Sequence, residues 1–355
     1  TRHEDGSVTT PKGFKDAYNR FVESGWGTLS APEAFGGQGL PFVVQAAVLE
    51  TLGSANTGFA LCPILSVGAI EAINHHGNDA QKRDWLTPLA RGEMLGAFCL
   101  TEPQAGSDAS ALRTTATRDG DSYVLNGVKQ FITSGKNGDV AIVMAVTDKA
   151  AGKRGISAFI VPTDRKGYVV TRVEEKLGQH SSDTAQIIFE DCRVPAANLI
   201  GAEGEGYRIA LSGLEGGRIG IAAQSVGMAR AAFEAALGYA KERESFGQPL
   251  FSHQAVQFRL ADMATQLEAA RQLIWHAASL KDAGQPCLTE AAMAKLFASE
   301  AAERICSAAL QIHGGYGYLN DFPVERIYRE VKVLTIGGGT EEIMKDLAAR
   351  QWHMI

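Results

Sequence analysis

The chain has 355 residues, 45% of them hydrophobic and 21% charged, with a formal net charge of −6. That composition excludes a disordered chain and leaves room for one large core or two to three smaller ones. The negative balance provides no general basic field, so nucleic acid is not an expected partner.

No unbroken apolar run approaches the roughly 20 residues a membrane helix needs. The opening TRHEDGSVTT lacks the basic-then-apolar order of a signal peptide. A cytoplasmic enzyme without membrane segments is expected. The five cysteines, Cys62, Cys99, Cys192, Cys287 and Cys306, are dispersed with no CxxC pair, which argues against a disulfide framework and against structural zinc. His75-His76 is the one histidine cluster. Helix neighbours project about 100° apart, so the pair cannot share a ligand face and no metal is expected.

Three zones follow one another. The first, 1–94, reads as helical, with helices expected over 14–24, 42–52, 57–75 and 80–91. Gly36-Gly37-Gln38-Gly39 and Gly77-Asn78-Asp79 punctuate it, and Asp79 is the expected N-cap of the fourth helix. In the second zone, 95–200, the period changes. GDSYVLNGVKQFIT (120–133) has the pattern of a strand, an Asn-Gly turn and a second strand. Short runs rich in Val and Ile follow at 139–147, 155–162, 168–174 and 184–189, as in a small barrel or sandwich. The third zone, 201–355, is helical again. There Val256, Leu260, Met263, Leu267, Ala270, Ile274 and Ala277 recur at spacings of four and three, the seam of a bundle. The fold class is α+β: an N-terminal helical domain, a central β-domain and a C-terminal four-helix bundle.

Four segments carry candidate chemistry. CLTEPQAGSD (99–108) has the Pro, Gly and short polar residues of a loop whose backbone comes close to a bound group. KQFITSG (129–135) ends a strand with an aromatic and a threonine. ERESFGQPL (242–250) joins two long helices and holds Arg243, a fixed charge suited to phosphate. QIHGGYGY (311–318) ends a helix in a glycine-rich turn whose amides can meet an anion. Its spacing is not GxGxxG and no strand precedes it, which disfavours a nicotinamide-binding Rossmann fold. Each alone reads as a turn, a strand or a helix cap.

Taken in order, with KLGQHSSDTAQIIFEDCRVP (176–195), GRIGIA (217–222) and FPVERIYR (322–329), these segments resemble the acyl-CoA dehydrogenase family over essentially the whole chain. The opening looks short by about one helix. The resemblance implies FAD as cofactor, an acyl-CoA substrate, electron-transferring flavoprotein as acceptor and a homotetramer built as a dimer of dimers. It also implies that Phe98, Leu100, Thr101, Gly106 and Ser107 line the isoalloxazine and ribityl side. Phe131 would lie against the flavin ring, with Thr133 approaching N5. Arg243, Phe246, Gln311, Gly314 and Gly315 would hold the pyrophosphate and adenosine across a subunit boundary, and Thr340 and Glu342 would complete the site. Ser107 and Arg218 fall at substrate-contacting positions.

One departure stands out. The family's usual catalytic glutamate sits in a C-terminal Tyr-Glu-Gly-Thr pattern; here the matching run is TIGGGTEEI (335–343), with Gly338 in that seat. A minority branch places its glutamate just before the arginine of the first bundle helix, and here that seat is Gly217. Three expectations compete. Glu215 could supply the base, although it projects about 160° from Gly217 on a regular helix, and about 60° from Arg218, with which it could equally form a simple pair. Glu341 or Glu342 could do so, although acidic residues after the N-cap Thr340 are expected from the helix dipole alone. Finally, no base is needed if the protein is a flavin oxidase or monooxygenase of the same fold, or an inactive subunit.

Overall fold

A computed structural model describes residues 9–27 and 29–352; the first eight residues of the opening segment, examined above for a signal sequence, lie outside them. The helices are α1 (Phe14–Glu23), α2 (Phe42–Ala55), α3 (Thr57–His76), α4 (Asp79–Gln81), α5 (Thr87–Ala90), α6 (Gly206–Glu242), α7 (Gln254–Asp282), α8 (Leu288–His313), α9 (Pro323–Val331) and α10 (Glu341–Gln351). The strands are β1 (Gly96–Cys99), β2 (Thr115–Asp119), β3 (Ser122–Thr133), β4 (Val140–Val146), β5 (Ile156–Pro162), β6 (Tyr168–Val173), β7 (Thr184–Pro195), β8 (Leu199–Ile200), β9 (Glu244–Ser245) and β10 (Gln248–Pro249). Two compact units divide the described residues: those up to 40, with 61–176 and 180–217, form one, and 41–60, 177–179 and those from 218 onward the other.

The first unit is organised around an eight-stranded mixed sheet in the order β6-β7-β3-β2-β4-β5-β8, with β1 parallel to β4. β2 meets β4 at a single pair, Thr115 with Val146, so the sheet is almost parted there. Tyr123, Leu125, Ile187, Phe189 and Val194 from one half pack against Ala141, Val143, Phe159 and Val161 from the other. The opposite face of β4 and β5 presents Val140, Ile142, Met144, Ala158 and Ile160 to Ile70, Ile73, Leu86 and Leu89 of the helices. β4 is therefore apolar throughout (VAIVMAV) because both its faces are covered.

Two local expectations need correction. Asn126-Gly127 does not turn the chain, because β3 runs unbroken through it. The register shifts between Leu125 and Gly127, and the Asn126 amide bonds across to Asp191 (3.1 Å), whose N–H returns to Asn126 Oδ1 (2.9 Å). Cross-strand pairing on β7 overrides the turn propensity, and the pair becomes a bulge. The tight turn lies at Gly120-Asp121 instead, between the paired Asp119 and Ser122, with Gly120 at φ 60°. Likewise the cap of α4 is Asn78 rather than Asp79. Its side chain accepts from Gln81 N (2.9 Å) while the Gln81 side chain accepts from Asn78 N (3.1 Å), a capping box.

α3 is 20 residues long and apolar enough by composition to span a membrane, which the reading of apolar runs had not anticipated. Of its most apolar window 61% is buried within the protein, as in a core helix.

In the second unit the seam on α7 is buried as expected at Leu260, Met263, Leu267, Ala270, Ile274 and Ala277, while Val256 is only half-buried. α2 packs on α7, and its N-terminal amides Phe42 N and Val43 N are capped by Asp282, 240 and 239 residues away. Glu50 of α2 receives two hydrogen bonds from Arg271, at 2.9 and 3.2 Å. α2 also lies backbone to backbone with α6: a Cβ at Gly227 would stand 2.1 Å from Glu50 O, and one at Gly53 2.8 Å from Gln224 O. Gly227→Ala is expected to destabilise the protein by at least about 1–3 kcal/mol through overpacking. Gly238→Ala, exposed on the same helix with nothing within 4 Å of its Cβ, should stabilise by about 0.5–1 kcal/mol. Thermal melts of the two variants should move in opposite directions; equal shifts would contradict the close approach.

Candidate active site

In the first unit the loop after β1 is held by one buried carboxylate. Glu102 pairs with Ala105 in a short bridge and accepts N–H bonds from Arg113 (2.7 Å) and Thr114 (3.0 Å). Lys129 of β3, fully buried, donates to Glu102 Oε1 (2.7 Å) and to Leu100 O (3.1 Å). Burial pushes the Glu102 carboxyl upward, but Lys129 and the two amides outweigh it and hold the group at about 2. Loss of hydration lowers Lys129, against the pull of Glu102. The carboxylate, with three donors, keeps the charge and so keeps the pair ionised.

That anchor positions the expected flavin-side residues. Gln130 N donates to Thr101 O (2.9 Å), fastening the 100–101 segment beside Phe131. The β3–β7 register shifts between Lys129 and Ile132, and Phe131 is expelled at φ 59° with 64% of its surface exposed. Its neighbours Gln130 and Ile132 are buried. A bulky aromatic in the left-handed region costs energy and is rare away from functional sites. Such a ring, held out from a fixed strand, fits the face of a planar heteroaromatic. Thr133 remains in the ladder opposite Thr184. Phe98, Leu100 and Thr101 are half-buried, and Gly106 and Ser107 are exposed at the loop tip, where a Cβ on Gly106 would meet nothing within 4 Å. Of these, Thr101 is the one tied beside Phe131, where the exposed ring fits a flavin.

The second unit carries the remaining positions in two groups. Arg243 begins the β9–β10 hairpin, and its guanidinium lies 5.5 Å above the Tyr316 ring, just past Gly314 (φ 58°) and Gly315. Gln311 is exposed on the last turn of α8, and Phe246, at φ 50°, is 98% exposed at the hairpin tip. The other group surrounds Gly338 (φ 70°) and Gly339 (φ 106°). Lys295 Nζ donates to Gly339 O (2.8 Å), and Arg218 Nε approaches Gly338 O (3.5 Å). Thr340 caps α10, accepting from Ile343 N (3.4 Å), and Glu342 is exposed in its first turn. Sixteen residues of α8 separate Lys295 from Gln311, about 24 Å along the axis. One chain therefore does not bring the two groups together.

Lys295 was not singled out from the sequence. Burial lowers its pKa to about 8, assisted by Arg218 and opposed by Glu341 and Glu342. Its only signal is a lone charge inside the alanine-rich run AAMAKLFA. Glu102 and Lys129 lay inside chosen segments, but nothing in the sequence told them from solvated charges.

Comparison with known proteins finds relatives over nearly the whole chain. Models of the N-terminal, middle and C-terminal domains of acyl-CoA dehydrogenase match residues 3–93, 97–192 and 204–353. A probable acyl-CoA dehydrogenase of Bacillus subtilis (strain 168) is 48% identical, over 94% of this chain and 88% of the relative. The solved structure of butyryl-CoA dehydrogenase from Megasphaera elsdenii superposes with TM-score 0.94 at 41% identity, covering 96% of this chain and 90% of that one. A chain in a structure described as the electron transferring flavoprotein of Acidaminococcus fermentans gives TM-score 0.94 at 46% identity, covering 95% and 89%. These matches define an α+β FAD oxidoreductase with the three-domain dehydrogenase fold. The chain belongs to the acyl-CoA dehydrogenase family.

Because the Glu102 pKa is depressed in the fold, its stabilising contribution is complete above about pH 4.5 and is lost as pH falls towards about 2. Glu102→Gln should flatten the pH dependence of stability across that window. Lys129→Met, which strands the buried carboxylate, should cost about 3–5 kcal/mol at neutral pH. Denaturant melts between pH 2 and 7 test both; an unchanged acid limb in Glu102→Gln would contradict the assignment.

Proposed function

We propose that the protein removes the α- and β-hydrogens of a short saturated acyl-CoA thioester and passes the electrons to an electron-transferring flavoprotein. The observation that carries this is Phe131, expelled from a buried strand beside the ionically fixed 100–101 loop. The similarity to butyryl-CoA dehydrogenase supports a short acyl chain. The neighbour described as an electron transferring flavoprotein supports the acceptor. The named relatives support a dehydrogenase ahead of an oxidase, a monooxygenase or an inactive subunit.

In this account Phe98, Leu100, Thr101, Gly106, Ser107, Phe131 and Thr133 receive the isoalloxazine end of FAD, and Thr340 and Glu342 complete the FAD site. Arg243, Phe246, Gln311, Gly314 and Gly315 serve the FAD of a neighbouring subunit in a homotetramer. Their separation of about 24 Å from the Gly338 group supports that division. Bound FAD supplies a hydride acceptor for the β-hydrogen. The protein's own tasks are to exclude water, to polarise the thioester oxygen and to aim a carboxylate at the α-hydrogen. Ser107 and Arg218 lie on the substrate side. Gly338 and Gly217 can hold no proton, so the carboxylate comes from another position.

Anaerobic titration with butyryl-CoA should bleach the visible flavin band, and added electron-transferring flavoprotein should restore it. A flavin that stays oxidised would refute the proposal. Arg243→Ala should lower FAD affinity by about ten- to a hundred-fold, as expected on losing a charge-assisted phosphate contact. A variant that retains FAD through dilution and gel filtration would displace Arg243 from the cofactor site.

A further inference from the structure

Gly216-Gly217 interrupts the interior of α6, a helix of 37 residues, at a cost of roughly 1 kcal/mol per glycine relative to alanine. One of the two has a close neighbour. A Cβ at Gly216 would stand 2.9 Å from both carboxylate oxygens of Glu71, so a side chain there would make the carboxylate swing aside. At Gly217 a Cβ would meet nothing within 4 Å. The bare backbone at 216 therefore makes room for a carboxylate brought in from α3, next to an open seat at 217.

Glu71 is unusual in its own helix. It is the sole acidic or basic residue of α3 apart from the terminal His75 and His76. It is half-buried, and its Oε2 is fully buried. One turn earlier on the same face, a Cβ at Gly68 would touch Phe98 Cδ2 at 4.0 Å. The face of α3 that bears Glu71 thus extends to a residue of the flavin-side edge.

Resting on the dehydrogenase account above, we infer that Glu71 is the catalytic base. Its carboxylate reaches from α3 the stretch of α6 from which a branch of the family supplies its base, at the position of Gly217. It removes a proton from the α-carbon of the acyl thioester. The C–H electron pair becomes the Cα=Cβ bond as the β-hydrogen leaves as hydride to bound flavin. The proton stays on Glu71 until product departs. Glu215, half-buried on α6, is not needed as a base.

The test separates proton removal from hydride transfer. Acetyl-CoA has α-hydrogens and no β-carbon, so its deuteration in D2O, followed by mass spectrometry on holoenzyme, reports the base alone. Glu71→Gln should lose at least about a hundred-fold in α-deuteration and in bleaching by butyryl-CoA, with FAD content and melting temperature unchanged. Gly216→Ala, which keeps the carboxylate but displaces it, should lose at least about ten-fold in both. Adding Gly217→Glu to Glu71→Gln should restore at least about ten-fold of the lost exchange, and this rescue is informative even where the single variant is less stable. Glu215→Gln should stay within about three-fold of wild type. If wild type bleaches but Glu71→Gln exchanges normally, or Glu215→Gln loses exchange instead, the inference is overturned while the dehydrogenase account stands. If wild type itself neither bleaches nor exchanges, both fall.

Discussion

The first unit's chemistry depends on the ion pair between Glu102 and Lys129, both buried. Removing two charges from water is expensive, and hydrophobic replacements of similar shape often match or exceed such pairs in stability. The pair is therefore better understood through what it fixes. Lys129 also holds Leu100 O, Glu102 holds the amides of Arg113 and Thr114, and Gln130 N holds Thr101 O. A glycine-containing loop that would otherwise wander is tied to the residues before Phe131. The bulge that expels Phe131 begins where this tether ends.

The second unit uses charge in another way. Lys295 and Arg218 reach carbonyls of a glycine loop, Gly339 and Gly338, where both residues lie in the left-handed region. Three consecutive glycines make a loop with little intrinsic shape, and two cations on its carbonyls supply that shape. No carboxylate stands at Gly338, yet the loop is held as though its conformation mattered.

Much of this was legible in the sequence because burial leaves periodic traces. β4 is a continuous apolar run because both its faces are covered, and α7 shows its seam at spacings of three and four. The ordered motifs revealed the family because each tracks a backbone shape. Asn126-Gly127 misled because a local turn preference lost to pairing with β7, and Asp79 because the neighbouring Asn78 made the better reciprocal cap. Buried charges were the least visible. Glu102, Lys129 and Lys295 look like any surface residue until the fold surrounds them.

The most direct measurement is a crystal structure of the protein with FAD and a non-oxidisable short-chain acyl-CoA analogue. The account predicts the isoalloxazine against Phe131, the adenosine end on Arg243 and Gln311 of a neighbouring subunit, and the Glu71 carboxylate within roughly 3.5 Å of the acyl α-carbon. A flavin remote from Phe131, or an α-carbon facing a different carboxylate, would contradict it.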